Sequence, residues 1–512
     1  MLRESIQKEI RQHLLTTRFV TCLALSLLLV VFGALVGSQE HRQRLEEHGK
    51  LASVEREKLS DIRVYSHIKP VASRKPTPLA VFNRGHSDRV GSSVAISHRS
   101  VPFLATGGGL ENELLTLFPT FDLIDVVCYV LGLLALLLSF DAISGERENG
   151  TLRLIMANAV SRGRIAWAKY LSGIITLFIP LLLGFLVALL LLNIYSPIGL
   201  TGEEWLRVLL IVATAVLYLS AMYLVGLCLS ALTRRSSTAL MISMLVWLMF
   251  VLVIPNLSGF LASQAVEVET TRSLQLKKAS LEEEAAHLVS QYESGLPPSQ
   301  VMGDLSIYGV DGEVLVRLGR PERYAWLNDS YTYLNRTELR YADRIWDIRR
   351  DHLHRLARQS ARAYDFSGIS PAFMADAITQ KLAGTSLEDH EDFMEATRTY
   401  RGEIISYIEA RGGFDTRRWF TDDPPDQKAL VLDPETFDRN RMDMERAWAM
   451  LAAAEQDRSR ILNLSDMPWF RFYPATVFES VGRASGDLAS LAGLNIFLFV
   501  FFLWAFSRYD CR

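Results

Sequence analysis

A compact cluster of charged side chains lies beside an apolar run at residues 141–154. Glu146, Arg147 and Glu148 follow one another between Gly145 and Gly150. Carboxylates and a guanidinium in such a row can form charge-assisted hydrogen bonds with a partner surface. Composition alone also fits an ordinary charged loop whose main effect is to set the orientation of the neighbouring spans. The cluster therefore indicates either a docking element or a plain membrane loop.

Motifs that would indicate catalysis are absent from the sequence. No G-x-x-x-x-G-K-[ST] loop is present to hold nucleotide phosphates, and neither HExxH nor GxSxG occurs. The four cysteines lack the spacing of a zinc site or a disulfide framework: Cys22, Cys128, Cys228 and Cys511. The net charge of −3 gives no support for nucleic-acid binding. We therefore expect no enzyme, and no metal or cofactor site, in this chain.

Long apolar runs predict six transmembrane helices, because about 20 apolar residues cross a bilayer. An amphipathic helix at 1–18 precedes them and is expected to lie in the membrane interface. The predicted spans are residues 19–38, 122–141, 167–193, 205–232, 238–260 and 486–507.

The distribution of Lys and Arg predicts the orientation of these spans. Basic residues cluster before the first span, between the second and third, between the fourth and fifth, and in the tail 508–512. With six spans, all four places fall on one side, which the positive-inside rule assigns to the cytoplasm. Both termini are then cytoplasmic, as is the loop 142–166, while segments 39–121 and 261–485 are extracytoplasmic. This predicts a multi-pass protein of the bacterial cytoplasmic (inner) membrane.

The two extracytoplasmic segments differ in their patterns. Segment 39–121 begins as a helix that continues out of the first span, and then offers short β-like pieces at 79–82 and 93–97. Segment 261–485 carries helical patterns at 262–294, 321–365, 388–411 and 433–463. The expected fold is an all-α membrane protein. Its large, mainly helical extracytoplasmic domain is inserted between spans 1 and 2 and between spans 5 and 6, with minor β content in the first insertion.

The charged cluster belongs to a longer pattern that resembles the signature of ABC-2 type transporter permeases. That signature runs close to "ISGERE-x-GTL-x-L…N-x-V-x-R…GK". The matching positions are Ser144-Gly145-Glu146-Arg147-Glu148-Asn149-Gly150-Thr151-Leu152-Arg153-Leu154, Asn158, Val160-Ser161-Arg162 and Lys169. The ending "FSRYDCR" is similar to the family's usual last residues. The segment "PTPLAVFNRG" resembles, more loosely, permeases with a large outer domain of the DUF3526 type.

The resemblance implies a permease subunit of the exporter type that moves substrate when a separate cytoplasmic ABC ATPase hydrolyses ATP. ATP and Mg²⁺ would bind that partner, and a second permease subunit, identical or homologous, would complete the assembly in the lipid bilayer. The loop 142–166 would seat on the ATPase. The coupling residues implied are Ser144, Gly145, Glu146, Arg147, Glu148, Gly150, Thr151, Leu152, Arg153, Asn158 and Arg162.

Two other functions remain open from the sequence. The first is a mechanical transducer, in which ATP-driven motion works the extracytoplasmic stalk and no solute crosses the membrane. The size of segment 261–485 motivates this alternative. The second is a membrane-anchored receptor or scaffold that has no ATPase partner.

Overall fold

A computed structural model describes residues 2–87, 89–106, 121–152, 156, 161–195, 199–297, 306–308, 314–427 and 437–508. The chain is predominantly helical in these ranges. Among the described residues, six helices or helix runs are long and apolar enough to cross a membrane, which confirms the predicted number of spans.

The first half of the chain supplies five of the six spans. Helix α1 (Leu2–Leu14) precedes α2 (Thr17–Ser60), and α3 (Leu123–Val126) continues through a π-helical segment into α4 (Gly132–Ser139). The short α5 (Ser144–Glu148) follows. Next come α6 (Arg162–Tyr195), α7 (Gly202–Leu232) and α8 (Ser236–Leu248), which runs through a second π-helical segment into α9 (Ile254–Ala265).

The remaining helices are α10 (Thr271–Gly295), α11 (Pro321–Ser367), α12 (Pro371–Ala383), α13 (Leu387–Ala410), α14 (Phe437–Gln456) and α15 (Val477–Ser507), the sixth span. In the part of the chain that the structure describes, four short strands form two antiparallel pairs. Strands β1 (Val71–Ser73) and β2 (Ser93–Ala95) pair with Ala72 opposite Val94, whereas β3 (Ser306–Tyr308) and β4 (Val314–Val316) form a hairpin.

One local prediction is wrong. The β-like piece at 79–82 is not a strand, because Pro78–Val81 forms a 3₁₀ helix. Pro76 and Pro78 precede it, and proline fixes φ near the helical value and lacks the N–H that a strand ladder needs. The piece at 93–97 does supply β2. The hairpin β3–β4 lies in the segment where only helices were expected.

The chain segments between spans 1 and 2 and between spans 5 and 6 come together, and we call them the insert domain. Its own core contains Tyr65, Phe393, Trp419 and Phe420, all buried. Helix α12 packs against α7 and α15 and shares the core of the bundle through Ile378. The insert domain is therefore joined to the spans by packed side chains as well as by the chain itself.

The two ends of the bundle are distinct in the structure. At the first, Arg18 pairs with Asp141 at 3.0 Å, and Arg162 donates to the carbonyl of Ser507. We call this the loop end, because it carries α5 and residues 149–152. At the opposite, domain end, Asn83 of the insert domain donates to Asp376 at 2.9 Å close to the start of α3. All four positively charged stretches, where described, lie at the loop end.

Candidate coupling region

Helix α5 is fixed to the bundle through its first residues. The backbone N–H groups of Ile143 and Ser144 both donate to Ser230 Oγ near the end of α7, at 2.9 and 3.0 Å. Ser144 Oγ donates in turn to the carbonyl of Phe140. Because a helix start leaves N–H groups without intrahelical partners, a hydroxyl from another helix is an effective cap. Ser144 is fully buried and cannot contact a partner protein.

A lysine bridges two acids beside α5. Lys169 Nζ lies 2.8 Å from Glu146 Oε1 and 3.2 Å from Glu9 Oε1 of α1. The lysine side chain is 3% exposed, while the two carboxylates are 19% and 15% exposed. A buried cation is tolerated where such partners and hydrogen bonds compensate the loss of water. The bridge therefore holds α1 and α5 against α6, and Glu146 points into the protein.

The next acid faces outward and touches another helix start. Glu148 Oε2 accepts from the backbone N–H of Ser236 at 3.1 Å, and also from its hydroxyl. Glu148 thereby caps α8 while its side chain stays exposed. A carboxylate at a helix N-terminus also interacts favourably with the helix dipole.

The residues after α5 form an exposed turn, which we call the tip (residues 148–151). Gly150 has φ +72°, a left-handed conformation that favours glycine, and no atom lies within 4 Å of the position of an added Cβ. Thr151 Oγ1 donates to the carbonyl of Glu146, which closes the turn. Leu152 then returns to the core with no exposed surface.

The structure thus divides the predicted coupling residues into two groups. Ser144, Glu146 and Leu152 position the segment, whereas Glu148, Gly150, Thr151 and Arg162 are exposed at the loop end. Gly145 and Arg147 are half-buried on α5. Arg153 and Asn158 lie outside the described residues.

Sequence reasoning missed the partners of these residues. Glu9 and Ser230 were not singled out, and neither was the contact between Glu148 and Ser236. One signal was available, since Lys169 lies inside an apolar run, where a charge is expected to be paired. His13 of α1 lies in the same surroundings, and burial lowers the pKa of His13 below its usual 6.5.

Two family models and two curated relatives match parts of this chain. Residues 4–307 match the family model described as "ABC-2 family transporter protein", and residues 323–472 match "Domain of unknown function (DUF3526)". Two curated relatives carry the name "Probable ABC transporter permease protein NosY". The chain is 30% identical to that of Stutzerimonas stutzeri over 136 residues, which is 26% of this chain and 48% of the relative. It is 38% identical to that of Pseudomonas aeruginosa over 64 residues, 12% of this chain and 23% of the relative.

The chain thus spans about half or less of the length of these relatives, whereas the first family model covers more than half of the 512 residues. The matched range includes α5, the tip and the first five spans. The protein is therefore an integral membrane protein that belongs to the ABC-2 transporter family and carries a DUF3526 domain.

Proposed function

We propose that the protein is the membrane-spanning permease subunit of an ABC transporter, driven by a separate ATPase that docks at the loop end. The observation that carries this proposal is the tip. It is an exposed charged turn whose base is fixed to α6, α7 and α8 by Lys169, Ser230 and Ser236. A displacement of this turn would be transmitted to three spans at once, because the segment contacts each of them directly.

In this proposal the loop end faces the cytoplasm, and the insert domain lies on the other side of the inner membrane. The positive charges before α2, around the tip and between α7 and α8 support that orientation. Outward movement of substrate follows the resemblance to ABC-2 exporters. Residues 148–151 and Arg162 would contact the ATPase, with α1 beside them, and ATP and Mg²⁺ would bind the ATPase.

Co-purification tests this docking. An ATP-binding subunit is expected to purify with the wild-type chain, and Glu148→Arg should lower its yield by about tenfold through loss of charge-assisted contacts. Ser236→Ala is the matched control, because it removes a hydrogen bond of Glu148 within the chain but keeps the exposed carboxylate. Equal loss in both variants would assign Glu148 to internal packing. A wild-type chain that purifies with no ATP-binding subunit would instead favour a receptor or scaffold.

A specific set of contacts favours a second candidate, the mechanical transducer. Lys381 of α12 forms an ion pair with Asp487 at 3.0 Å, and Asp392 of α13 forms one with Arg483 at 2.7 Å. Both pairs join the insert domain to α15. Motion of the sixth span would therefore pass directly into the insert domain. Vesicles that contain the permease and its ATPase distinguish the two functions. A transducer would hydrolyse ATP but load none of the solutes offered.

A further inference from the structure

A cavity of about 430 Å³ lies at the domain end, opposite the coupling region. Its walls come from α2, from the start of α7, from the insert domain and from the chain that enters α15. Nine charged side chains line it. The cations are Arg44, Arg74, Lys75, Arg84 and Arg207, and the acids are Glu40, Glu203, Glu204 and Asp389. So dense a set of both signs indicates a charged ligand rather than an apolar one.

Several of these charges are already engaged inside the protein. Arg44 and Arg84 share the carboxylate of Glu40, the second at 3.0 Å. Glu204 caps α7 by accepting from Thr201. Asp389 accepts from Ser386 at the start of α13. These groups fix the shape of the cavity.

Arg207 is different, because it is a buried cation whose hydrogen bonds with the described residues go to carbonyl groups alone. Nη1 lies 2.9 Å from the carbonyl of Leu382, and Nη2 donates to that of Ala475. The residue is 8% exposed, and none of the described carboxylates forms an ion pair with it. The charges of Asp389, Glu203 and Glu204 act on it only from a longer distance. Burial of an arginine without a close anion is costly, and an anionic group in the cavity would offset that cost.

Two further charges face the cavity with free side chains. Lys75 and Glu203 are both exposed, and neither takes part in an ion pair with the described residues. The cavity therefore offers a cation and a carboxylate at its surface, besides Arg207 in its wall. A ligand that carries a phosphate and a protonated amine matches this pair of charges better than a polyanion does.

The position of the cavity indicates where such a ligand comes from. Trp205 and Tyr473 adjoin lining residues in the sequence and are 53% and 77% exposed. Both belong to the ends of membrane spans or to the chain that enters one. Exposed tryptophan and tyrosine at span ends are typical of the interface between lipid headgroups and hydrocarbon. The cavity therefore lies at headgroup level.

We propose that this cavity binds the headgroup of a zwitterionic phospholipid, with the phosphate at Arg207 and Lys75 and the ammonium group at Glu203. The site adds a lipid ligand to the proposed permease and does not depend on the ATPase. Arginine and lysine are the usual protein ligands of phosphate, and a carboxylate pairs with an ammonium group. In the proposed orientation the lipid comes from the outer leaflet.

Titration of the full chain in neutral detergent tests the site. Water-soluble, short-chain phosphatidylethanolamine is the probe, and short-chain phosphatidylglycerol and free phosphoethanolamine are the comparisons. Binding is measured by native mass spectrometry. Phosphatidylethanolamine should bind to the wild type, and Lys75→Gln should weaken binding by about tenfold because a charge-assisted contact is lost. Lys50→Gln, an exposed lysine of α2 that is not part of the cavity lining, should leave it unchanged.

The other variant and probes identify the chemistry. Glu203→Gln should reduce the preference for phosphatidylethanolamine over phosphatidylglycerol, since it removes the partner of the amine. If free phosphoethanolamine competes as strongly as the lipid, the binding site stands but its ligand is a soluble phosphate ester. Equal binding by the wild type, Lys75→Gln and Lys50→Gln would overturn the proposal. Co-purification of the ATPase should not change in these variants, which separates this test from that of the coupling region.

Discussion

At the scale of single residues, the bridge between Glu9, Lys169 and Glu146 determines how the loop end is built. We expect Lys169→Met to lower the free energy of unfolding by about 3 kcal/mol, because two partly buried carboxylates would then face each other without a cation. The melting temperature in detergent and the protease sensitivity of α1 are the measurements. Arg164→Gln changes an exposed base on the same helix and should have little effect. A Lys169→Met protein as stable as Arg164→Gln would contradict this.

Histidines of the insert domain predict a loss of stability in acid. Burial, with Arg74, Arg398 and His86 nearby, lowers the pKa of His390 from 6.5 to about 4. The folded protein thus binds fewer protons than the unfolded chain, and stability falls as the pH decreases from 6.5 to about 4. His390→Asn should flatten this part of the pH profile. Thermal unfolding between pH 7 and 4 checks it, with His287→Asn, an exposed site on α10, as the control. If His390→Asn leaves the pH profile of stability unchanged, His390 is not the source of the loss of stability in acid.

The sequence identified the residues of the tip but could not assign their roles. Glu146 and Glu148 look equivalent in the string Gly145–Gly150, yet one faces Lys169 and the other faces Ser236. Which side a charge faces depends on helices that are distant in sequence. The pattern therefore predicted where the region lies, and only the fold separates inward from outward side chains.

At the scale of elements, close contacts between helices replace the hydrophobic effect as the source of specificity in the bundle. Inside a membrane, small residues let helices approach closely. A Cβ added to Gly173 of α6 would lie 2.0 Å from the ring of Tyr223, and one added to Gly132 would lie 2.2 Å from the hydroxyl oxygen of Tyr218. Tyr223 also donates to the carbonyl of Lys169 at 3.1 Å. The α6–α7 contact thus supports the residue that carries the bridge.

This packing predicts an effect of Gly173→Ala. The added methyl group overlaps a buried ring and should cost about 1–3 kcal/mol of stability, as overpacking does in tight cores. Gly259→Ala on α9 is the matched control, since no atom lies within 4 Å of its added Cβ. Thermal unfolding of both variants in the same detergent is the measurement. If the melting temperature of Gly173→Ala equals or exceeds that of Gly259→Ala, the contact between Gly173 and Tyr223 is not tight.

Long elements were predicted better than short ones. The run 205–232 corresponds to α7 (Gly202–Leu232) and the pattern 321–365 to α11 (Pro321–Ser367). Both are easy to recognise because their apolar pattern continues over many helical turns. The strands have three residues each, too few for an alternating pattern to stand out. Their positions depend on distant partners, such as Phe420, whose carbonyl accepts from Val316.

At the scale of the whole molecule, two spans expose most of their apolar surface. In the run Ser236–Ala265 and in Val477–Ser507, only 17% of the most apolar stretch of 18 residues is buried. In Leu123–Glu148 the corresponding share is 72%. Phe497 and Val500 of α15 are 64% and 58% exposed. Lipid can cover such surfaces, and so can the second permease subunit that the sequence resemblance implies.

Cross-linking tests the second subunit. In a chain whose cysteines are replaced by serine, Phe497→Cys should form a disulfide-linked dimer in the membrane if α15 faces its copy. Leu190→Cys on α6, 59% exposed, is the comparison for random collisions. Dimer bands of equal intensity from both positions would indicate that α15 faces lipid, and the subunit contact would have to be sought elsewhere.

The bridge at Lys169 also has a consequence for biogenesis. Glu9 leaves the ribosome long before its partner Lys169, since helices α2 to α5 are synthesised in between. Until α6 has entered the membrane, α1 has no buried cation to bind, and Glu146 has none either. Docking of the N-terminal helix thus follows insertion of the third span. A chain stalled or truncated before that point carries both acids without the cation that pairs them in the finished protein.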